Sequence, residues 1–102
     1  MDFNRDTYPQ IKQACDQKVS IEFDVDRDAT AFVDSDAPIE WTPYPPAHLS
    51  TKDYAQVIHR AGNDARGTLT KLELHVHSTG GKIFYKKSGN DRITLRVTWP
   101  AS

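Results

Sequence analysis

The sequence predicts an α+β fold in which two helices pack on one face of an antiparallel sheet of four or five strands. The main observation is the segment Thr68–Trp99, where three runs of alternating apolar and polar residues are separated by a Gly-Gly pair at 80–81 and a Gly-Asn-Asp turn at 89–91. Such alternation is typical of half-buried strands, and glycine favours the turns between them. We therefore expect a three-stranded meander at the C-terminal end of the fold.

The register of this meander follows from the side of the sheet to which its apolar residues point. A three-residue turn at 89–91 places Ile83 opposite Val97, whereas a two-residue turn slips the last strand by one residue and turns its apolar row to the wrong face. The predicted core face consists of Leu72, Leu74, Val76, Ile83, Tyr85, Ile93, Leu95, Val97 and Trp99. The opposite face then carries His75, His77, Phe84, Lys86 and Arg96.

The rest of the chain supplies the two helices and a further strand. Helices are predicted at Tyr8–Lys18 and Ser50–Ala61, where apolar residues recur at helical spacing. Val19–Asp26 alternates between apolar and polar residues and is predicted to be a strand, with a second short strand around Thr30–Val33. The proline-rich segment 37–50 is expected to be a loop that packs against one end of the core.

Length and composition favour one globular domain over residues 1–102. The chain is 37% hydrophobic, has a net charge of −1 and contains one cysteine. Because no apolar run is long enough to cross a bilayer, we expect a cytoplasmic protein without membrane association. Residues 1–50 contain ten acidic and four basic residues, whereas residues 51–102 contain four acidic and nine basic residues. This asymmetry indicates either separate charged surfaces or two parts of one fold that neutralise each other.

Two short motifs are comparable with metal sites, but neither predicts a cofactor. The segment Asp24-Val-Asp26-Arg-Asp28 has the opening spacing of a calcium loop, but its sixth position is alanine and its twelfth is serine. The pair His75-Val-His77 resembles the His-x-His segments of cupins and of PHP-type phosphoesterases over three or four residues, without their further ligands. We therefore predict no metal and no cofactor.

The leading functional hypothesis rests on the acidic first half of the chain. Carboxylates fixed on a strand can imitate nucleic-acid phosphates and attract a cationic partner. We therefore expect a small protein-binding inhibitor of the immunity-protein, antitoxin or phage anti-defence type, which blocks a basic partner such as a nuclease. The predicted partner-binding residues are Glu22, Asp24, Asp26, Asp28, Asp34 and Asp36.

The alternative hypothesis uses the polar face of the predicted meander. A metal-independent endoribonuclease needs an acid, a base and cations, for which the candidates are Glu73, His75, His77 and Arg96. The order of helix first and sheet last is similar to that of small microbial ribonucleases and bacterial toxin nucleases. The same face also suits RNA binding without cleavage, through His77, Lys82, Phe84, Lys86 and Arg96.

A third interpretation makes both charged regions structural. If the strand at 19–26 joins the same sheet, its acidic residues become cross-strand neighbours of the meander's basic residues. The two charges then cancel, and neither surface is free to attract a partner.

Overall fold

The computed structural model describes residues 1–30, 33, 37–44, 51–62 and 64–100, which form an α+β fold. The predicted α+β class is confirmed, but this part of the chain contains three α-helices where two were expected. The elements in chain order are α1 (Tyr8–Asp16), β1 (Ile21–Asp26), β2 (Thr42–Tyr44), α2 (Thr51–Ala61), α3 (Ala65–Ser78), β3 (Lys82–Gly89) and β4 (Arg92–Thr98), with a 3₁₀ turn at Arg27–Ala29.

The four strands form an antiparallel sheet in the order β1-β4-β3-β2. The predicted register is confirmed, since Ile83 pairs with Val97 and Tyr85 with Leu95. The turn itself differs, because Gly89 pairs with Arg92 and an irregularity lies between Lys87 and Gly89. The apolar row of β4 therefore has the predicted register, although the turn that precedes it has a different geometry.

The prediction that the meander begins with a strand before Gly80 is wrong, because that segment forms the helix α3. The Asp64 side chain caps the helix by accepting a hydrogen bond of 2.9 Å from the Gly67 amide. Leu69, Leu72 and Val76 are buried at the three- and four-residue spacing of one helix face. Alternation at 72, 74 and 76 fits a strand equally well, and the helix prevails because its buried face covers the sheet.

The Gly-Gly pair at 80–81 ends α3 instead of forming the predicted hairpin turn. Gly80 has a φ of +86°. Its amide donates to the His77 carbonyl, and the Gly81 amide donates to the Val76 carbonyl at 2.8 Å. These two bonds form a Schellman cap, in which glycine supplies the positive φ that other residues adopt at a cost.

The other predicted elements are largely confirmed. α1 and α2 lie where helices were expected, and β1 begins two residues later than predicted. Thr30 and Val33 are not in a strand, while residues 31 and 32 of that predicted strand lie outside the described residues. The segment 37–50 was expected to be a loop, but residues 42–44 form β2 at the edge of the sheet, and residues 45–50 lie outside the described part.

The core lies between one face of the sheet and helices α1 and α3. The sheet contributes Phe23, Val25, Ile83, Ile93, Leu95 and Val97, and the helices contribute Ile11, Cys15, Leu69, Leu72 and Val76. α2 packs mainly on α3. A Cβ at Gly67 would lie 2.2 Å from the Gly62 carbonyl oxygen, so glycine is required where the end of α2 meets the first turn of α3.

Lys18→Gly is expected to raise the free energy of unfolding by about 0.5–1 kcal/mol, because Lys18 holds a φ of +57° at the end of α1. The Lys18 and Val19 amides donate to the Cys15 and Ala14 carbonyls in the pattern of a Schellman cap. Urea denaturation measures the change, and Lys18→Ala serves as the control because alanine gives no relief at positive φ. Equal stabilisation by both variants would contradict this account of the cap.

Candidate interaction surface

The face of the sheet opposite the core is the candidate site, and we call it the outer face. Since side chains alternate along each strand, the residues between the buried ones point away from the helices. None of these residues is buried, so the outer face is accessible to solvent. It comprises Glu22, Asp24 and Asp26 on β1, Arg92, Thr94, Arg96 and Thr98 on β4, Lys82, Phe84 and Lys86 on β3, and Trp41 and Pro43 on or just before β2.

The acidic residues of β1 lie directly opposite partners on β4. Glu22 forms an ion pair with Arg96 at 2.6 Å. Asp26 pairs with Arg92 at 2.7 Å, and Asp24 accepts a hydrogen bond from the Thr94 hydroxyl. Glu22 and Asp26 are therefore cross-strand neighbours of basic residues, as expected, whereas Asp24 faces a threonine, and Lys71 and Lys86 do not lie beside β1. The hydrogen bond from Arg92 to Asp26 also raises the pKa of Arg92.

A further carboxylate joins this row from the N-terminal segment. Asp2 forms an isolated parallel bridge with Asp24, and its carboxylate pairs with Arg92. The amide of Phe3 donates to the Asp24 carbonyl at 2.7 Å, which fixes the segment beside β1. We call the four carboxylates at this margin the acidic edge, which consists of Asp2, Glu22, Asp24 and Asp26. Four negative charges lie against two arginines, so the acidic edge keeps a net negative charge.

The remaining predicted acidic residues are less well placed. The Asp28 side chain is 91% exposed and lies 4.0 Å from the Arg27 guanidinium. Asp34 and Asp36 lie outside the described residues. The structure therefore brings three of the six predicted partner-binding residues, those at 22, 24 and 26, onto one surface.

An aromatic and cationic cluster occupies the other half of the outer face. The Arg96 guanidinium lies 4.0 Å from the centroid of the Trp41 ring, and the Lys86 amine lies 4.7 Å from it. Phe84 lies between Arg96 and Pro43 in the strand register. Sequence analysis missed Trp41 by treating its segment as a loop. The signal was available, since Trp41 and Pro43 alternate with the core-facing Thr42 and Tyr44.

The charge on the outer face changes from negative at β1 to positive at β3. The acidic edge lies along β1, whereas Lys82 and Lys86 lie on β3, two strands away. Within the described residues, neither lysine forms an ion pair with a carboxylate. Across the sheet, this surface therefore presents the carboxylates of β1, the arginines of β4, the lysines and Phe84 of β3, and Trp41 beside β2, whose ring contacts Lys86 and Arg96.

The residues predicted to be catalytic in the ribonuclease hypothesis lie on opposite sides of the sheet. Glu73, His75 and His77 lie on α3, on the core side of the sheet, and Arg96 lies on the outer face. His75 contacts Asp16 at 3.1 Å, and His77 packs against Tyr54 with a ring separation of 5.6 Å. Of the predicted RNA-binding residues, Lys82, Phe84, Lys86 and Arg96 share the outer face, and His77 does not.

Burial is the main cause of the shifted pKa values of the titratable groups in the interior. Glu73 is 2% exposed, and burial raises its pKa well above the ordinary value. Burial lowers the pKa of His77 and raises that of the Cys15 thiol to about 11. Cys15 is therefore a protonated core residue, as its position on the apolar stripe of α1 predicts.

The described residues contain no cluster of three or more His, Cys, Asp or Glu side chains that could hold a metal ion. A shallow depression of about 430 Å³ lies between the N-terminal segment and the start of α3, lined by Phe3, Arg5, Tyr8 and Thr68 among others. It shares no residue with the outer face.

Searches against protein families, curated proteins and solved structures find no match to this chain. In the part of the chain that the structure describes, no helix is both long and apolar enough to cross a membrane. The functional argument therefore rests on the outer face itself.

The Glu22–Arg96 ion pair is expected to show a coupling energy of about 0.2–1 kcal/mol in a double-mutant cycle, since the two side chains are cross-strand neighbours. The cycle uses Glu22→Gln, Arg96→Gln and the double variant, with urea denaturation as the measurement. The coupling should weaken in high salt, because exposed charges are screened. A control cycle of Glu22→Gln with Lys82→Gln should show no coupling, and equal values in both cycles would contradict the pairing.

Proposed function

We propose that this protein is a small cytoplasmic inhibitor that binds a basic protein partner, such as a nuclease, through its outer face. The observation that carries the proposal is the acidic edge, where four carboxylates are fixed in a row on an uncovered sheet. Alternate residues on a strand lie about 7 Å apart, so the carboxylates form a regular negative array. Such an array suits a surface that otherwise binds phosphates.

The internal ion pairs support recognition rather than prevent it. Arg92 and Arg96 hold the carboxylates of β1 in fixed positions, which lowers the entropy lost when a partner binds. The acidic edge retains excess negative charge, which steers a cationic surface and accelerates encounter. Fixed geometry with residual charge is what an inhibitor of a basic protein requires.

The aromatic half of the outer face supplies the contact chemistry. Tryptophan and arginine are enriched among the residues that dominate protein interfaces. Trp41, Phe84 and Arg96 lie together beside the acidic edge. We infer that these three residues form the centre of the interface, with the carboxylates setting its orientation.

A second candidate function is RNA binding on the same face. Its supporting observation is the group of Lys82, Phe84 and Lys86 on β3, in which cations flank an aromatic ring that can stack on a base. The acidic edge on the same surface repels a phosphate backbone, and this favours a protein partner over RNA.

The partner interaction is expected to weaken at least about tenfold, or about 1.4 kcal/mol, when Glu22→Gln, Asp24→Asn and Asp26→Asn are combined. These amides keep the shape of the side chains and remove the charge. The experiment is capture from extracts of the native cell with mass spectrometry, followed by affinity measurement with the purified partner. Asp6→Asn is the control, because Asp6 is an exposed carboxylate away from the outer face.

A matched variant with Lys82→Gln and Lys86→Gln distinguishes the two candidates. If the protein captures a basic partner and only the acidic-edge variant loses it, the inhibitor proposal is supported. If it captures RNA and the lysine variant loses it, the RNA proposal replaces the first. An unchanged protein interaction in the acidic-edge variant would falsify the role of these carboxylates.

A further inference from the structure

Glu73 is a carboxyl group that the proposed interface does not use and that folding nevertheless buries. It lies on α3 with 2% of its surface exposed. Both of its oxygens are buried, and the Tyr44 hydroxyl is the neighbour that can hydrogen-bond to them. A charged carboxylate in such a position costs several kcal/mol of desolvation, so the closed fold holds Glu73 in its neutral form.

Four elements supply the titratable groups around Glu73. Tyr44 on β2 approaches its carboxyl closely enough to offset part of the rise in its pKa. Burial, and secondarily the neighbouring Glu73 carboxyl, raises the pKa of Tyr54 on α2, and His77 follows one turn later on α3. Tyr85 on β3 packs edge-on against Tyr44 at 5.2 Å. None of these groups is a permanent cation that could neutralise an ionised Glu73.

The two elements that approach Glu73 from outside α3 are a short edge strand, which holds the buried Tyr44, and a helix that packs mainly on α3. β2 is an edge strand of three residues, and its central Pro43 has no amide to donate. α2 packs mainly on α3 and contributes no residue to the main core cluster. The free energy needed to separate β2 and α2 from α3 is therefore smaller than that of unfolding the whole protein.

β2 connects this interior site to the outer face. Tyr44 points inward toward Glu73, and Trp41, three residues earlier, lies over Arg96 and Lys86 on the opposite side of the sheet. Movement of β2 away from α3 and β3 therefore also removes Trp41 from its stack.

We propose that Glu73 is a buried acid switch, in which loss of its proton separates β2 and α2 from α3 and withdraws Trp41 from the outer face. The use of this switch to regulate partner binding rests on the proposed function. The conformational change itself does not, and it can be measured without a partner.

The direction of the pH dependence follows from linkage. Because the folded pKa of Glu73 lies above its unfolded value, the closed state binds the proton more tightly than the open state. The closed state is fully favoured below the unfolded pKa, and this preference is lost as pH rises toward the folded pKa. His77 has the opposite sign, since its lowered pKa makes acid, not base, the destabilising condition.

The test follows tryptophan emission and hydrogen-exchange protection while pH is raised across the neutral range. In the native sequence, protection at β2 and α2 should fall by up to about tenfold per pH unit after correction for intrinsic exchange. α1 and β4 should remain more strongly protected, and the emission should shift in the same range. Glu73→Gln should abolish both changes, because glutamine has the same shape and does not ionise.

Three further variants test the assignment. Trp41→Phe should remove the emission change and leave the exchange change, because the other tryptophan, Trp99, lies against Thr79 at the end of α3 and not beside β2. His77→Gln should leave the transition in place. Tyr44→Phe should move the transition to higher pH, since the Tyr44 hydroxyl lowers the pKa of Glu73.

Two outcomes would overturn the switch. The first is a Glu73→Gln variant with the same pH response as the native sequence, and the second is a native protein without any such response. Neither outcome depends on a partner, so the switch can fail while partner binding stands. Conversely, if the protein is found to bind no basic partner, the emission and hydrogen-exchange results expected for the switch stay the same.

Discussion

The antiparallel pairing of β4 with both β1 and β3 is the constraint on which the rest of the structure depends. β4 is a central strand, and its alternation places Ile93, Leu95 and Val97 on the core side and Arg92, Thr94 and Arg96 on the outer side. A slip of one residue in either pairing would exchange the two rows. The same register therefore specifies the core and brings every β1 carboxylate opposite a partner.

The pairing of β3 with β4 can be predicted from the sequence because alternating apolar and polar residues show which side of each strand faces the core. The pairing of Ile83 with Val97 follows from keeping two apolar rows on one side, although the turn between them differs from the expected one. α3 is predicted wrongly because alternation at 72, 74 and 76 and a Gly-Gly pair are compatible with two structures. Glycine at positive φ serves a hairpin or a helix cap equally, and only tertiary packing decides between them.

The candidate surface is predicted in part for the same reason. Phe84, Lys86 and Arg96 share a face because they lie on correctly predicted strands, while the histidines are displaced because they lie on α3. Trp41 is missed because three prolines surround its segment and β2 has only three residues. The burial and raised pKa of Glu73 have no local signal, since the environment of its carboxyl is formed by residues from three separate elements, β2, α2 and α3.

The stack on the outer face also links β1 to the segment before β2, and these lie at opposite edges of the sheet. The Arg96 guanidinium lies between the Trp41 ring and the Glu22 carboxylate, and these residues belong to β4, the edge of β2 and β1. Because Arg96 contacts both of these residues, replacing it alone removes the partner of Glu22 and leaves Lys86 as the cation over the Trp41 ring. The effects of substitutions at positions 22, 41 and 96 on stability are therefore expected to be non-additive, because the three side chains are in contact through Arg96.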